Sequence, residues 1–517
     1  MSIDTLQLRG RKQVAWLRAK PPDDARRALE EREFVVTTCT DEELRDGVYL
    51  AGLATVVFAQ DPTKLYQVSR DLQAHSKRLL DYDCRIVVRP AETDKSSGTP
   101  LVAKVVAKLR LPTAGLNGDE TILPPLPHVQ VYQSGVPWSV IANFIADHRP
   151  GKAPNQSLRI QASAPLQPDC DLLLRRAFAD CAEIHLVPLD GGRSGASVYR
   201  AYAELAGGEL GRWPLPYFVK FGNREKIFAE YENYRARVDP YVPFHLGPHL
   251  IDTRCCLGAD KGIIVGDYVD ESESLRDCAR DGRGAQAIAC LFDRTLHGWY
   301  RDATKEPTAI AKLLSFPRSL PSARFAMAQK LGATRHLTEL RQLFNRCHSQ
   351  PTMWGPVHGD LHAANVRVRA TDAIVIDFLS HRQAPLVYDA ACLEASLLVD
   401  GFSDEDTADF ETTRNWMNSL STLYTSTPLD LAPSHTNPKY RCSWFYLCVR
   451  QVRLYARRME CGTDQYAAAL AVALIQKACK DPRAPEPEAL RRAAAFVFAE
   501  AVLDSTFGSK QSRSPNP

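Results

Sequence analysis

One short stretch of the sequence carries acidic and amide side chains at a spacing suited to phosphoryl transfer. It reads HGDLHAAN, from His358 to Asn365, and is followed by a strand-like run, a polar turn and the segment AIVIDF. Four residues separate Asp360 from Asn365, and Asp377 closes the predicted hairpin. In transfer from Mg-ATP, one Asp positions the accepting hydroxyl while an Asn and a second Asp hold the metal. Oxygen ligands of this kind are the ones that Mg²⁺ prefers.

The same residues resemble the aminoglycoside phosphotransferase and choline kinase branch of the protein-kinase-like fold, in which HGD replaces HRD and ID[FW] replaces DFG. The resemblance implies that Asp360 is the catalytic base and that His358 supports its loop. It also implies that Asn365 and Asp377 are the metal ligands and that ATP and Mg²⁺ are the cofactors. The catalytic domain is then expected to have two lobes, with a mostly helical C-lobe.

A family member needs an upstream nucleotide lobe, and a glycine-rich run supplies its first candidate. The segment LDGGRSGASVYRAYAEL lies inside a potential strand–turn–strand. Glycines in such a turn let backbone N–H groups approach phosphate oxygens. The expected phosphate cradle consists of Gly191, Gly192, Ser194 and Gly195.

Lys220 ends the β-branched and aromatic run LPYFVKFG and resembles the kinase lysine that pairs with the α- and β-phosphates. Three carboxylates on the next helical segment are candidates to orient it: Glu225, Glu230 and Glu232. Glu230 is favoured, because it lies one helical step before Tyr234 in the E-x-x-x-Y phase of such families.

The segment GIIVGDYVDES predicts a strand and the hinge between the lobes. Backbone groups from Asp267 to Val269 are expected to meet the adenine edge. The helical periodicity from Leu275 to Leu503 is typical of the larger lobe. Asp389 is interpreted there as a helix N-cap, as a structural bond to the catalytic loop, or as both.

An acidic stretch, DGFSDEDTADFE, follows in the predicted C-lobe. In an aminoglycoside-modifying enzyme its carboxylates could pair with substrate amines. Helix capping explains it more plainly, because Ser403 fits an N-cap position and Asp406 the N3 position.

The first 150 residues predict an α/β doubly wound parallel sheet, because short β-branched runs alternate with helical segments. The runs are Val14–Leu17, Phe34–Thr38, Thr55–Phe58, Arg85–Val88 and Val129–Tyr132. Five such units resemble a response-regulator receiver domain. Its phosphorylation site is largely missing, since Arg18 follows the first strand and Asp61 lies beyond the expected acceptor position. We therefore expect a regulatory or interaction module.

The chain has 517 residues, and 64 basic against 61 acidic residues leave a net charge of +3. This balance gives no electrostatic case for nucleic acid or membrane binding. Scattered cysteines and the lack of an apolar leader predict a reduced, cytoplasmic protein. The predicted division is a receiver-like domain at 1–150, a linker at 151–168, an N-lobe at 169–270, a C-lobe at 271–508 and a flexible tail at 509–517.

The leading hypothesis is an ATP- and Mg²⁺-dependent phosphotransferase that acts on a hydroxyl of a small-molecule or protein acceptor. The N-terminal domain would regulate it or recruit a protein partner. A second hypothesis is a nucleotide-binding, kinase-like scaffold of a bacterial signalling or defence system with little turnover. A third, that the N-terminal domain is itself an enzyme, requires Asp61 to accept a phosphoryl group.

Overall fold

The computed structural model describes residues 11–58, 65–89, 129–132, 135–189, 196–206, 216–425, 429, 443–459 and 461–508. The chain divides into two compact units. The first comprises Met1–Phe228 and Leu250–Tyr268, and the second comprises Ala229–His249 and Val269–Pro517.

A five-stranded parallel sheet forms the N-terminal part of the first unit, with strand order β2-β1-β3-β4-β5. Its strands are β1 Gln13–Leu17, β2 Val35–Cys39, β3 Leu53–Phe58, β4 Arg85–Val88 and β5 Val129–Val131. Its helices are α1 Asp23–Glu30, α2 Gly47–Gly52, α3 Leu65–Asp81 and α4 Trp138–Asp147. The predicted parallel α/β sheet is thus confirmed, and its order is a doubly wound one.

Alternate residues of these strands face two separate hydrophobic cores, as the period of a strand requires. Leu17 of β1 packs in the core that contains Leu72 and Leu79 of α3. Trp16 packs in the opposite core, which contains Leu29 of α1 and Trp138 of α4. Helices therefore cover both faces of the sheet.

A second, six-stranded sheet in the same unit has the order β10-β11-β9-β8-β7-β6. Its strands are β6 Arg159–Ala162, β7 Cys181–Pro188, β8 Ser197–Leu205, β9 Tyr217–Asn223, β10 Cys256–Leu257 and β11 Lys261–Asp267. The helices beside these strands in the sequence are α5 Pro168–Ala177 and α6 Arg224–Asn233. All pairings are antiparallel except that of β6 with β7.

Strand β6 corrects part of the linker prediction for 151–168. Arg159–Ala162 pairs in parallel with β7, and the preceding Leu158 is buried. The Gly, Pro and Ser content around this short strand concealed it, because four residues carry too little periodicity to stand out.

The second unit is mainly helical, as expected for the C-lobe. Its helices are α7 Leu275–Arg280, α8 Gly284–Cys290, α9 His297–Arg301, α10 Ile310–Leu313, α11 Ser322–Lys330, α12 Leu337–Phe344, α13 Val387–Asp400, α14 Phe410–Leu420, α15 Thr422–Thr425, α16 Ser443–Arg458, α17 Thr463–Cys479 and α18 Glu486–Leu503. Its strands are β12 Glu273–Ser274, β13 Thr304–Glu306, β14 Thr352–Val357, β15 Val366–Arg369, β16 Asp372–Val375 and β17 Arg382–Pro385. They form two three-stranded sheets, β12-β15-β16 and β13-β14-β17.

Helix α13 lies at the centre of this unit and is buried along most of its length. Its Glu394 accepts hydrogen bonds from Arg453 of α16 at 2.7 and 3.0 Å and from Tyr466 of α17 at 2.6 Å. A buried carboxylate needs such partners, because an unpaired charge in the core is costly. Across the described parts of the chain, no helix is both long and apolar enough to span a bilayer.

Candidate active site

The HGDLHAAN motif forms the connection between β14 and β15, which we call the 358–365 loop. His358 is fully buried, and its Nε2 donates a hydrogen bond to the carbonyl of Ile376 at 3.0 Å. A carbonyl oxygen only accepts, so Nε2 carries the proton of this ring. The histidine thereby ties the loop to the chain just before Asp377.

Gly359 is required by the backbone geometry of this loop. Its φ is +79°, a region that residues with side chains rarely adopt. A Cβ at this position would also collide with the carbonyl oxygen of Ser380. The loop therefore approaches the segment after Asp377 more closely than any larger residue permits.

Asp389 stabilises the start of the 358–365 loop by accepting hydrogen bonds from its backbone. Its carboxylate accepts the backbone N–H of His358 at 2.7 Å and that of Gly359 at 3.0 Å. The side chain is fully buried, and this burial raises the pKa of Asp389 although the two N–H donors oppose the effect. Leu386 is the N-cap of α13, so the expectation that Asp389 caps the helix is wrong. Its carboxylate instead reaches across to the loop backbone.

Asp360 and Asn365 are joined within the loop. The Nδ2 of Asn365 donates to the backbone carbonyl of Asp360 at 3.2 Å, and the Asn365 side chain lies in a largely buried position. Since Nδ2 is used in this bond, Oδ1 is the amide atom suited to a cation. The carboxylate of Asp360 is 42% exposed.

The hairpin of β15 and β16 leads to Asp377, which has a left-handed backbone with φ of +66°. The next side chain, Phe378, is buried and packs with its ring centroid 6.2 Å from Tyr234 and 5.7 Å from His358. Asn233 donates to the carbonyl of Phe378 at 3.0 Å. The aromatic contacts of Phe378 and the left-handed backbone of Asp377 together fix the position of the Asp377 backbone.

A chain of polar side chains from α13 and α17 supports the far half of the loop, and sequence reasoning missed it. The backbone N–H of Ala363 donates to Ser396 Oγ at 3.1 Å, and this hydroxyl donates to Asp400 at 3.0 Å. Lys477 of α17 completes the series by binding Asp400. Nothing in local spacing pointed to these residues, since they come from distant helices.

Two basic groups stand near the Asp360 carboxylate. Lys480 Nζ lies 3.1 Å from Oδ1, and His362 Nε2 lies 4.0 Å from Oδ2. Burial raises the pKa of Asp360, but Lys480 and His362 outweigh it and the net pKa is lowered. Burial also lowers the pKa of His362 to about 4, with Lys477 adding to the effect. The Asp360 carboxylate is therefore ionised near neutral pH.

The predicted nucleotide residues lie partly in the first unit. Lys220 is a buried residue of β9, where it pairs with Ile264 of β11 and Val198 of β8. Asp267 ends β11 opposite Tyr217. The predicted cradle of Gly191, Gly192, Ser194 and Gly195 lies outside the described residues.

Glu230 and Val269 belong to the second unit. Glu230 is buried on α6, whereas Glu225 is exposed and Glu232 is half-buried. This burial distinguishes Glu230 among the three carboxylates that the sequence offered.

The donor set suits a hard divalent cation. Among the described residues, no group of three or more His, Cys, Asp or Glu side chains forms a metal cage. Mg²⁺ does not need one, because it commonly takes one or two protein carboxylates and fills its shell with phosphate oxygens and water. Asn365 Oδ1 and the Asp377 carboxylate are oxygen donors of the required type, so the residues present fit the ion.

Comparison with protein families finds a match over the region that contains this site. Residues 185–415 match the phosphotransferase enzyme family. The match includes the whole 358–365 loop and Asp377, together with Lys220 and Glu230. It supports an ATP-dependent phosphotransferase and leaves the N-terminal sheet outside the matched range. The receiver-like identity of that sheet is not confirmed.

Among curated proteins the chain has no match. Similar solved structures include an amicoumacin kinase in complex with AMP-PNP, Ca²⁺ and Ami, at 18% identity over 62% of this chain and 88% of that one, with a TM-score of 0.30. Aminoglycoside phosphotransferase APH(4)-Ia is 12% identical over 63% and 95% of the two chains, with a TM-score of 0.34. A glucosamine kinase is 13% identical over 62% and 93%, with a TM-score of 0.29. TM-scores this low do not establish a shared fold.

Proposed function

We propose that the chain is an ATP- and Mg²⁺-dependent phosphotransferase that transfers the γ-phosphate to a hydroxyl of a small-molecule or protein acceptor. The observation that carries the proposal is the 358–365 loop within the family-matched region. One loop and one hairpin present the Asp360 carboxylate, the Asn365 amide and the Asp377 carboxylate, and buried bonds to Asp389 hold the loop in place.

In the proposed reaction the acceptor oxygen attacks the γ-phosphorus in line, and the bond from that phosphorus to the β–γ bridging oxygen breaks. ADP leaves, and the hydroxyl proton passes to the Asp360 carboxylate, which is ionised and accessible. Asn365 and Asp377 would hold Mg²⁺, which supplies neutralisation of the phosphate charge when it is bound. Lys220 and the 191–195 glycine run are assigned to the triphosphate.

The protein contributes mainly position and electrostatics, because phosphoryl transfer needs little covalent chemistry from the enzyme. The structure supports this division of labour. Asp389 is buried and fixes backbone, whereas Asp360 is partly exposed and can meet an acceptor.

Regulation by the N-terminal sheet is the second part of the proposal. Within the first unit, Asp81 at the end of α3 accepts the backbone N–H of Ala259 at 2.8 Å. Arg176 of α5 donates to the carbonyls of Asp81 at 2.8 Å and Leu257 at 2.9 Å. These hydrogen bonds link α3 and α5 to the turn between β10 and β11. Strand β11 in turn pairs with β9, the strand that carries Lys220. A shift at α3 therefore has a physical route to the nucleotide residues.

The decisive experiment for the transferase proposal measures ADP release by the full chain with ATP and Mg²⁺ against a panel of alcohols and proteins. Asp360→Asn is expected to reduce the rate by about 10² to 10⁴-fold, the usual contribution of a positioned general base. The control is Asp302→Asn, at an exposed carboxylate elsewhere in the second unit.

An unchanged rate in Asp360→Asn would show that Asp360 is not the base. Tight ATP binding in a thermal-shift assay, with no turnover on any acceptor, would favour the kinase-like scaffold instead.

The regulatory proposal has its own test. Asp81→Ala removes the acceptor that holds the Ala259 N–H, and we expect the KM for ATP to change by about fivefold, a common size for coupling between sites. Glu42→Ala alters an exposed carboxylate of the same sheet domain and serves as the control. Equal KM values for the two variants would argue against regulation through this contact.

A further inference from the structure

Lys480 places a positive charge beside the proposed catalytic carboxylate. Helix α17 ends at Cys479, and the next residue brings its Nζ to 3.1 Å from Asp360 Oδ1. The Lys480 and Asp360 side chains are 51% and 42% exposed, so an acceptor can reach both. Lys477, one helical turn earlier, binds Asp400 instead. The two lysines of this helix end therefore have different partners.

Lys480 occupies one of the two oxygens that Asp360 can offer. An acceptor hydroxyl must donate to the same carboxylate before transfer, and Oδ2 is the oxygen that Lys480 does not bind. A carboxylate held at Oδ1 also loses rotational freedom, which favours one approach direction for the acceptor. Lys480 thus acts on the acceptor through Asp360 and is a positioning residue.

The ammonium also affects which acceptors the site tolerates. Like charges about 6 Å apart near a protein surface repel strongly enough to change affinity roughly tenfold after screening by salt. A cationic acceptor that donates its hydroxyl to Asp360 must come close to Lys480. A neutral or anionic alcohol meets no such repulsion.

The acidic stretch of the C-lobe gives independent support, because at least three of its six carboxylates bind groups of the protein itself. Asp404 accepts from Arg491 at 2.9 Å, and Asp406 accepts the N–H of Ser403 at 2.9 Å as the predicted capping box. Asp409 caps α14 through the N–H of Thr412. These acids are committed to local structure and are poor candidates for pairing with the amines of a polycationic substrate.

We propose that Lys480 sets the acceptor class of this site and selects neutral or anionic alcohols over cationic ones. The inference rests on the proposed function, since it assumes that Asp360 receives the acceptor hydroxyl. The inference goes beyond the proposed function because it specifies the charge of the acceptor and names Lys480 as the residue that discriminates between charges.

The test compares three sugars that differ in charge: glucosamine, glucose and glucuronate. ADP release by the full chain gives kcat and KM for each, and calorimetry with Mg-AMP-PNP present gives their affinities. For the wild type, glucosamine is expected to be the poorest of the three. Lys480→Met should improve glucosamine relative to glucuronate by about tenfold, mainly through KM or affinity. Lys480→Arg should retain the wild-type order, because the charge is kept.

Arg483→Met is the matched control, since Arg483 is an exposed cation three residues farther along the chain. It should leave the ratio unchanged. An unchanged ratio in Lys480→Met, an equal change in Arg483→Met, or no binding of any of the sugars by wild type and variants would overturn the inference.

Failure of the proposed function gives a different result. If the wild type releases no ADP with any acceptor, the transferase assignment is contradicted. If Asp360→Asn releases ADP as fast as the wild type, only the role of Asp360 as the base is contradicted. The ratio of the calorimetric affinities for glucosamine and glucuronate then shows separately whether Lys480 discriminates between the two charges.

Discussion

Two polar clusters in this molecule lie just beyond strand ends, and their carboxylates meet different cationic groups. In the N-terminal sheet, Arg18 follows β1 and binds Asp41 after β2 as well as Asp71 of α3, the latter at 3.1 and 3.2 Å. His75 reaches Asp41 at 2.8 Å. In the second unit, the 358–365 loop follows β14, and its Asp360 meets the ammonium of Lys480.

The difference lies in the kind and number of cationic groups that meet the carboxylates. Burial alone would raise the pKa of Asp41, but Arg18 and His75 lower it, so the N-terminal cluster carries its own neutralising charge. A guanidinium with fixed donors does this well, because it can bind two carboxylates at once. In the second unit, Asn365 of the 358–365 loop and Asp377 after the following hairpin offer oxygen donors, and we propose that they hold Mg²⁺ when ATP binds.

The largest effect should come from the proposed metal ligand. Asp377→Ala removes a charge that acts on the transferring phosphoryl group, and we expect ADP release to fall by about 10³-fold. Asp41→Ala removes a carboxylate from the N-terminal cluster and should leave the rate within about twofold, as surface changes away from a site usually do. Similar rates of ADP release by the two variants would contradict the proposal that Asp377 acts in the reaction and Asp41 does not.

A smaller effect is expected from the buried support of the loop. Asp389→Ala leaves the N–H groups of His358 and Gly359 without their acceptor, and we expect the free energy of unfolding to fall by about 2 to 5 kcal/mol. Asp389→Asn keeps an acceptor oxygen and should lose less. Urea denaturation followed by tryptophan fluorescence provides the measurement, and an Ala variant as stable as the wild type would contradict this role.

The smallest effect is expected from the N-terminal cluster, in which Arg18 binds Asp41 and Asp71. Arg18→Met deprives the buried Asp71 of a partner, and the N-terminal sheet should lose about 1 to 3 kcal/mol of stability. Millimolar Mg²⁺ should then raise the melting temperature of the variant more than that of the wild type, because Asp41 and Asp71 have both lost the guanidinium of Arg18. A thermal-shift titration with MgCl₂ measures this difference. Equal rises in melting temperature for the two proteins would show that removing Arg18 does not create a site for Mg²⁺.

The contribution of Asp41 depends on pH in a defined direction. Its folded pKa lies below the ordinary value, so the carboxylate stabilises the fold near neutral pH. That stabilisation is lost as the pH falls through the folded pKa. Acid should therefore narrow the difference in stability between the wild type and Arg18→Met.

Local sequence was sufficient where neighbouring residues alone determine an element. The runs at Val14–Leu17 and Arg85–Val88 became strands of the parallel sheet, because buried β-branched residues have few alternatives. The hairpin before Asp377 and the Ser403–Asp406 capping box also follow from residues within a few positions of each other. The family match adds weight to the predicted loop, while the roles of its residues stay predictions.

Tertiary structure decided the contacts between residues that lie far apart in the chain. Asp389 does not cap its helix as predicted. Its carboxylate instead accepts two backbone N–H groups of the 358–365 loop, which no local pattern reveals. Lys480 stands 120 residues from Asp360, and only the packing of α17 brings them together. The sequence by itself determined which chemical groups the loop contains. The folded chain decided which charges surround them, because electrostatics depends on distance in space and not on separation in sequence.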